Sequence, residues 1–431
     1  MITISPASKP SHRPPRASGA SPPRTGVWLC IALASLIYMN TTGVRLTVGL
    51  FVHPIMADTG MIITQVSIAM AVGQLMWGVF QPLFGLWADK GSPFAALSTG
   101  ALILAAGQIL TIYAHNPLLL TLAQGILSPA GIASASFPLM ITVMAARLSP
   151  DKRSAASGIV NAGGSVGQFL YAPLVQFVMH LRGHYASLLM LAGLTLAALI
   201  PAWVLCRIKP LAAPGSGEGK QDAPPQDAAL AREGVWDQLR VAARDPSYLL
   251  LHAGFFTCGF HVAFLITHLP GEIQACGHTA TVSAASISII GLFNIAGSLG
   301  AGILGKYYRM KFILAFVYAA RAAMIAVFLA APKTEMTFYV FAAATGFTWL
   351  ATVPPTAGIV DKLFGKRYLA TLFGLTFFTH QVGGFLGAWL GGLAVQHSGN
   401  LLWVWYTDIA LALMAALVNL PIKEPKVATA R

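Results

Sequence analysis

The chain has 431 residues, of which 56% are hydrophobic and only 10% are charged, and its formal net charge is +13. Soluble domains carry about 25% charged residues, so this composition excludes an ordinary soluble protein and indicates one that is buried in lipid. A nucleic-acid-binding protein gathers its basic residues on one soluble face, and the sequence contains no such face.

Twelve apolar stretches are long enough to cross a bilayer as helices. The predicted spans are Val27–Val52, Ile62–Ala88, Phe94–Ala114, Leu118–Ala146, Ala155–Met179, Tyr185–Leu205, Tyr248–Leu269, Thr281–Leu304, Phe312–Ala330, Phe338–Val360, Leu369–Val395 and Leu401–Leu420. The predicted fold is therefore an all-α integral membrane protein with twelve transmembrane helices.

The basic residues outside these spans predict how the chain is oriented. With the N-terminus placed inside, the inner segments hold 23 lysines and arginines and the outer loops hold two. Because positive loops stay in the cytoplasm, we expect both termini to be cytoplasmic and the protein to lie in the inner, cytoplasmic membrane.

The chain divides into two similar halves. We predict a disordered cytoplasmic tail at 1–26, a six-helix bundle at 27–206, a cytoplasmic linker at 207–247, a second six-helix bundle at 248–421 and a cytoplasmic tail at 422–431. A repeat supports this division, because VGQFLYAPL at 166–174 in the fifth span returns as VGGFLGAWL at 382–390 in the eleventh. Two similar six-helix halves are typical of transporters with parallel repeats.

Two stretches carry a family resemblance. KRSAASGIVNAGGSVGQFLYAPL at 152–174 combines a basic pair, small residues and a late proline, and AVGQLMWGVFQPLFGLWADKG at 71–91 ends in Gly, three residues, Asp and a basic residue. On these stretches the chain resembles the major facilitator superfamily, and within it the bacterial relatives of the monocarboxylate porters and oxalate:formate antiporters. The resemblance covers nearly the whole chain after residue 26 and implies a 6+6 bundle that works by alternating access.

The loop motif at the end of the second span consists of Gly85, Asp89 and Lys90. Asp89 is placed to pair with a basic residue or to cap a neighbouring helix when the inner side is closed, so we expect a gating role. The sequence departs from the family pattern twice, since Gly91 comes one residue early and Gly305 stands where the second half would carry an acid. These departures argue against a gating contact made by a charged residue in each of the two halves.

Arg321 lies about 11 residues into its span, roughly 16 Å deep and close to the bilayer midplane. An arginine at that depth costs at least ~2.5 kcal/mol, so it is expected to face a watered cavity or a partner. One interpretation is a clamp that binds a carboxylate through two parallel hydrogen bonds. The other is a structural cation held by backbone carbonyls or by tyrosines such as Tyr318.

Arg45 lies in the outer half of the first span, near the place where the monocarboxylate porters carry a substrate-binding lysine. The resemblance implies a role in substrate binding, and the alternative is an arginine that extends to the outer interface. Asp408 is the only acid inside a span, and it lies near the outer end of the twelfth. A core with two arginines and one peripheral acid favours an anionic substrate.

Other polar residues complete the predicted site. In the eighth helix of the animal-type porters an Asp and an Arg stand four residues apart, whereas the matching positions here are Asn294 and Ser298, so the usual proton-linked pair is missing. His261 in the seventh span is a candidate to titrate in its place, although a helix histidine is more often a packing residue. His380 and Gln381 in the eleventh span are expected to line the same cavity.

These observations predict a secondary transporter that moves a small organic anion, with a monocarboxylate as the first substrate class and a proton as the candidate coupling ion. No nucleophile, acid/base pair, metal cluster or GxxxxGK[ST] loop is apparent, so we expect no enzymatic activity, no cofactor, no metal and no ATP drive. The expected partners are the substrate and the lipid bilayer; nucleic acid is not expected, and an oligomer is not required to form the cavity.

Two alternatives stay open. One is a polyspecific exporter of hydrophobic compounds, which an aromatic lining would accommodate. The residues of that lining are Trp77, Trp349, Phe377 and Phe378. The other is a transporter-like sensor that binds its ligand without moving it.

Overall fold

The computed structural model describes residues 24–424 except 146, 149, 209–234, 306 and 366–368. The described part is helical and contains no strand. The first half comprises α1 (Arg24–Leu46), a 3-10 turn (Val48–Phe51), α2 (Val52–Thr59), α3 (Ile63–Lys90), α4 (Pro93–Ile112), α5 (Pro117–Leu120), a π-helical segment (Thr121–Leu127), α6 (Ser128–Ala133), α7 (Phe137–Ala145), α8 (Pro150–Ala197) and α9 (Leu199–Arg207). The second half comprises α10 (Val235–Arg244), α11 (Pro246–Ala275), α12 (Ala280–Leu304), α13 (Met310–Ala330), α14 (Glu335–Thr348), α15 (Val353–Phe364), α16 (Leu369–Ser398) and α17 (Leu402–Asn419).

Ten helical stretches in the described part are long and apolar enough to cross a membrane. One of them, Ala156–Arg207, has 52 residues and contains two of the predicted spans. The helix Leu369–Ser398, which carries the polar run Thr379–His380–Gln381 near its centre, is not among the ten. Counting the long stretch as two spans and adding Leu369–Ser398 gives the twelve helices of the predicted fold.

The fifth and sixth spans join at a single residue. Gly183 has φ 81° and ψ 172°, and helix continues on both sides of it within α8. The two limbs then lie side by side, since the Ser187 hydroxyl donates to the Val175 carbonyl at 3.1 Å. A positive φ of this kind favours glycine, so one residue turns the chain back without a loop.

The fourth and tenth spans, expected to be continuous, are each interrupted. The helix stops between Ala133 and Phe137 in the first half and between Thr348 and Val353 in the second. Proline occupies the second position of each new helix, at 138 and 354, and these two positions are offset by the same distance along the chain as the repeat in the fifth and eleventh spans. Proline suits a first helical turn because the N–H it lacks has no partner there. The two breaks are therefore equivalent features of the two halves.

Glycines let the helices approach within each half. A Cβ at Gly167 of α8 would lie 2.2 Å from the Met39 carbonyl oxygen of α1, and one at Gly383 of α16 would lie 2.0 Å from the Phe256 carbonyl oxygen of α11. Small residues at helix interfaces allow this backbone contact. These two glycines therefore allow close helix packing inside each bundle.

The two halves meet along α3 with α16 and along α8 with α12. A Cβ at Gly78 of α3 would lie 2.8 Å from the Gln381 side chain, and the Ser288 hydroxyl of α12 donates to the Phe169 carbonyl of α8 at 2.6 Å. At the end of the bundle away from the chain termini, Gly49 lies so close to α11 that a Cβ would be 1.9 Å from the carbonyl oxygen of Ile266. The halves are closed against each other at that end.

Candidate functional site

Arg45 is half-buried where α1 gives way to the 3-10 turn. Its guanidinium carbon lies 3.7 Å from the centroid of the Trp77 ring, and Nη2 donates to Gln74 Oε1 at 3.5 Å. A cavity opens beside these three side chains and is lined further by Gln108 and Gln124. A cation over a tryptophan face is attracted by the ring quadrupole, so Trp77 holds the guanidinium at the cavity wall.

An aromatic run leads from Arg45 into the second half. The Trp77 ring meets the Phe377 ring edge-on at 5.2 Å, and Phe377 stacks on the His380 ring at 5.4 Å with the planes 3° apart. Phe255 of α11 lies 4.8 Å from the same imidazole. His380 therefore sits between helices of the second half while its stack reaches α3 of the first.

Arg321 is completely buried on α13. Its Nη2 donates to the carbonyls of Thr348 and of Trp349, the latter at 2.9 Å, and its guanidinium carbon lies 5.4 Å from the centroid of the Tyr318 ring. These carbonyls are free to accept because α14 ends at Thr348. The carbonyls left free at the break in the tenth span therefore find a donor in Arg321, and the buried guanidinium finds acceptors there.

The remaining nitrogens of Arg321 decide what else it can bind. Nε and Nη1 are buried and have no hydrogen-bond partner among the described residues. Since Nη2 already serves two carbonyls, the two parallel bonds expected of a carboxylate clamp cannot include it in this conformation. Three N–H donors on Nε and Nη1 are left for an incoming anion.

His261 of α11 and Asp408 of α17 form a buried hydrogen-bonded pair. Nδ1 lies 2.6 Å from Asp408 Oδ2, and the side chains are 1% and 0% exposed. The sequence placed Asp408 at the periphery, near the outer end of its span, whereas the packing of α17 against α11 encloses it. His261 also lies beside Trp349, with the ring centroids 6.2 Å apart.

Asn294 of α12 joins three elements by hydrogen bonds. Its Nδ2 donates to Ser165 Oγ of α8 at 3.0 Å, and its Oδ1 accepts from the Leu350 amide at 3.1 Å and from Ser298 Oγ at 2.9 Å. Leu350 belongs to the break in the tenth span. Asn294 is thus tied to both halves, and its oxygen already accepts two bonds.

His380 and Gln381 are both buried on α16. Neither amide atom of Gln381, nor Nδ1 of His380, has a hydrogen-bond partner in the part of the chain that the structure describes. Of the six predicted site residues, Arg45 lines a cavity whose lining belongs to the first half. Arg321, His261, His380 and Gln381 keep buried polar atoms without a hydrogen-bond partner among the described residues.

The loop motif ends α3. Gly85 has open space around its Cα and Lys90 is exposed, while the side chain of Asp89 lies outside the described part. In the second half, where Gly305 stands in place of an acid, Glu424 joins the ends of two helices. Glu424 Oε1 lies 2.5 Å from Lys362 Nζ at the end of α15, and Oε2 accepts the Lys311 amide at 3.1 Å at the start of α13.

The sequence contained a further signal that points to His261. TTGVR at 41–45 returns as TCGFH at 257–261, with the same offset as the repeat in the fifth and eleventh spans. The repeat therefore aligns His261 with Arg45, so the two halves present a basic residue at equivalent places. Among the described residues, no group of three or more His, Cys, Asp or Glu is arranged to hold a metal ion.

Comparison with known proteins agrees with this architecture. A family model described as Major Facilitator Superfamily matches residues 27–388. The oxalate:formate antiporter of Oxalobacter formigenes is 25% identical, over 91% of this chain and 89% of its own, and monocarboxylate transporter 13 of Rattus norvegicus is 25% identical, over 88% and 85%. A solved structure of a bacterial homolog of the human lysosomal transporter Spinster superposes with a TM-score of 0.69 at 14% identity, covering 92% of this chain and 94% of that one.

Two six-helix bundles with polar and charged side chains at their interface define a multi-pass membrane transporter. The chain belongs to the Major Facilitator Superfamily. The expectations of fold and family drawn from the sequence are confirmed.

Proposed function

We propose that the protein moves a small organic anion, with monocarboxylates as the first substrate class, across the inner membrane by alternating access with both termini in the cytoplasm. The observation that carries the proposal is that each half carries an arginine inside one of its spans, Arg45 in the first half and Arg321 in the second. Arg45 lines a cavity, and Arg321 keeps three buried N–H donors without a partner among the described residues.

The charge of the core supports an anion. Asp408 is engaged with His261, so neither arginine forms an ion pair with an acid in the described part of the membrane core. Buried cations are stable only when they are paired or hydrogen-bonded. A carboxylate would supply the missing partner, and the names of two relatives refer to oxalate, formate and monocarboxylates.

Uptake of labelled formate, oxalate, lactate and pyruvate into proteoliposomes tests the proposal, with and without an inward proton gradient. Arg321→Gln removes the charge and the free donors, and a hydrogen bond to a charged group is worth about 1.5–3 kcal/mol. We therefore expect uptake to fall by roughly 10- to 100-fold. The proton gradient reports whether a proton moves with the acid.

Arg147→Gln is the matched control. Arg147 is also buried and donates to backbone carbonyls, with Nε 3.0 Å from the Ile208 oxygen, but it lies at the far end of α7, away from the interface of the halves. Transport per folded molecule should survive this change. If both variants lose activity in parallel with stability, Arg321 is a structural cation.

A hydrophobic exporter remains the second candidate function, and the aromatic run favours it. Trp77 and Phe377 join the halves through ring contacts that need no anion. In that case no carboxylate enters the vesicles, and Arg321→Gln leaves efflux of an apolar dye unchanged.

A further inference from the structure

The internal repeat places the His261–Asp408 pair where the first half has Arg45. Thr41, Gly43 and Arg45 correspond to Thr257, Gly259 and His261. A residue that lines a cavity in one half thus has a titratable counterpart in the other. Since alternating access moves the two halves about a shared site, equivalent positions are placed to act in one cycle.

The pair is built to hold a proton that can leave. His261 Nδ1 donates to Asp408 Oδ2 at 2.6 Å, and both side chains are buried. His261 Nε2 and Asp408 Oδ1 have no hydrogen-bond partner within the described residues. A purely structural pair is expected to have its remaining polar atoms satisfied, whereas an open imidazole nitrogen offers a place for a proton to enter or depart.

The pair is linked to Arg321 through one residue. The Trp349 ring faces His261, and the Trp349 carbonyl accepts from Arg321 Nη2. Trp349 lies in the break between α14 and α15, and its amide donates to the Gly346 carbonyl at 3.1 Å. An anion that draws Arg321 away from the break therefore removes a hydrogen bond from the Trp349 carbonyl beside His261.

Other titratable groups lie on the helices that carry the pair and on those packed against them. They include Cys258, His268 and Glu272 on α11, Tyr406 on α17, Tyr318 and Arg321 on α13, and His380 on α16. α12 contains no charged residue, and those of α14 and α15 lie in the first turn of one and the last turn of the other, at Glu335, Asp361 and Lys362. Arg321 is consequently the permanent charge that the pair must balance.

We propose that the His261–Asp408 pair is the proton-binding site of the transport cycle, an inference that rests on the proposed anion transport. A proton from bulk water binds the imidazole, and the net charge of the pair changes from −1 to zero. A carboxylate that binds at Arg321 adds −1. When both the proton and the carboxylate are bound, the site has the same net charge as when it is empty. When only one of them is bound, the net charge differs by one unit.

This balance couples the two ligands. Moving an uncompensated charge through a buried region is costly, so the empty and the doubly loaded carriers reorient and the singly loaded forms do not. The net result is electroneutral cotransport of one proton with one monocarboxylate. An inward gradient of one pH unit then drives accumulation of about tenfold.

The test uses proteoliposomes and the monocarboxylate that the wild type transports best among formate, lactate and pyruvate. His261→Asn keeps an amide where Nδ1 stands and cannot take up a proton. We expect exchange of labelled for unlabelled acid at equal pH to persist, while accumulation at one pH unit falls from about tenfold to about onefold. Asp408→Asn should likewise keep exchange at equal pH and lose accumulation driven by the pH gradient.

His268→Gln is the matched control. This histidine is buried on the same helix, and its Nε2 bonds the Ala388 carbonyl at 2.7 Å, a contact that the glutamine amide can keep. Gradient-driven accumulation should survive in this variant. Retained accumulation in His261→Asn would overturn the inference. If the wild type moves no carboxylate, the anion-transport proposal itself is wrong.

A second measurement covers the case in which the variants do not fold. NMR of histidine-labelled wild-type protein in detergent, with no substrate, follows the imidazoles through a pH titration. One buried imidazole that protonates reversibly while the protein stays folded, and that responds to added carboxylate, supports the site. If each buried imidazole keeps one protonation state until the protein unfolds, the pair is structural and the inference fails.

Discussion

A single side chain, that of Glu424, joins two helices of the second half on the side of the bundle where the described chain ends. It is 7% exposed, pairs with Lys362, and accepts the backbone amide of Lys311 near the N-terminus of α13. A carboxylate at a helix N-terminus also interacts favourably with the helix dipole. The contact therefore holds the ends of α13 and α15 together.

Replacing this carboxylate should lower stability. Glu424→Gln removes the charge from a mostly buried pair, and we expect a loss of about 1–3 kcal/mol in the free energy of unfolding. Thermal melting of the purified protein measures it. Asp237→Asn is the control, because the Asp237–Arg240 pair is exposed and such pairs contribute about 0.2–1 kcal/mol. Equal melting of both variants would contradict a role for Glu424.

The individual charges are visible in the sequence, and one of the two interpretations of Arg321 named the neighbours it has, backbone carbonyls and Tyr318. The partner of His261 was not predicted. Arg321 was recognised from its depth alone, because a charge in an apolar run is a local signal. The pairing of His261 with Asp408 spans 147 residues of sequence. It depends on how α17 rotates against α11, and hydropathy does not specify that rotation.

Helix contacts within each half depend on glycines in α8 and α16. Gly167 and Gly383 bring helix backbones so close that a methyl group would overlap a carbonyl oxygen. Overpacking of this kind costs about 1–3 kcal/mol. Gly167→Ala and Gly383→Ala should therefore each lower the melting temperature.

The same helices provide controls for this prediction. Gly158 and Gly374 have nothing within 4 Å of an added Cβ, so alanine there should leave stability unchanged or slightly raised by its helix propensity. Melting curves of the four variants distinguish the cost of a steric overlap from the gain in helix propensity that alanine brings at every position. Similar losses at all four positions would mean that the close approach is unimportant.

The helix count was predictable and the helix breaks were not. Apolar runs of bilayer length predict spans directly, and the internal repeat predicted two equivalent halves. The run Phe338–Val360 is continuously apolar, so hydropathy gives one helix there, while the structure stops α14 at Thr348. Pro354 and Pro355 were the available signal, but proline in membrane helices is often tolerated.

At the scale of the whole molecule, closure of one end depends on contact between α11 and the 3-10 turn. Gly49 fits against the Ile266 carbonyl only because it lacks a Cβ. We predict that Gly49→Ala disfavours the conformation described here and shifts the protein towards one that is open at that end, which we expect to be the outer one.

Labelling from outside measures this shift. Ile55 is buried beside the cavity at the closed end. In a cysteine-free background carrying Ile55→Cys, an impermeant maleimide should react several-fold faster when Gly49→Ala is present. Gly193→Ala is the control, because an added Cβ there meets nothing within 4 Å. Unchanged labelling would show that this contact does not govern closure.

The one-residue junction at Gly183 has a mechanical consequence for how the first half moves. With helix on both sides of the junction, the fifth and sixth spans share no slack that could absorb a displacement of either. We therefore expect a tilt of the limb that faces α12 to be passed through Gly183 to the limb behind it, so that motion at the interface between the halves reaches the opposite side of the first bundle.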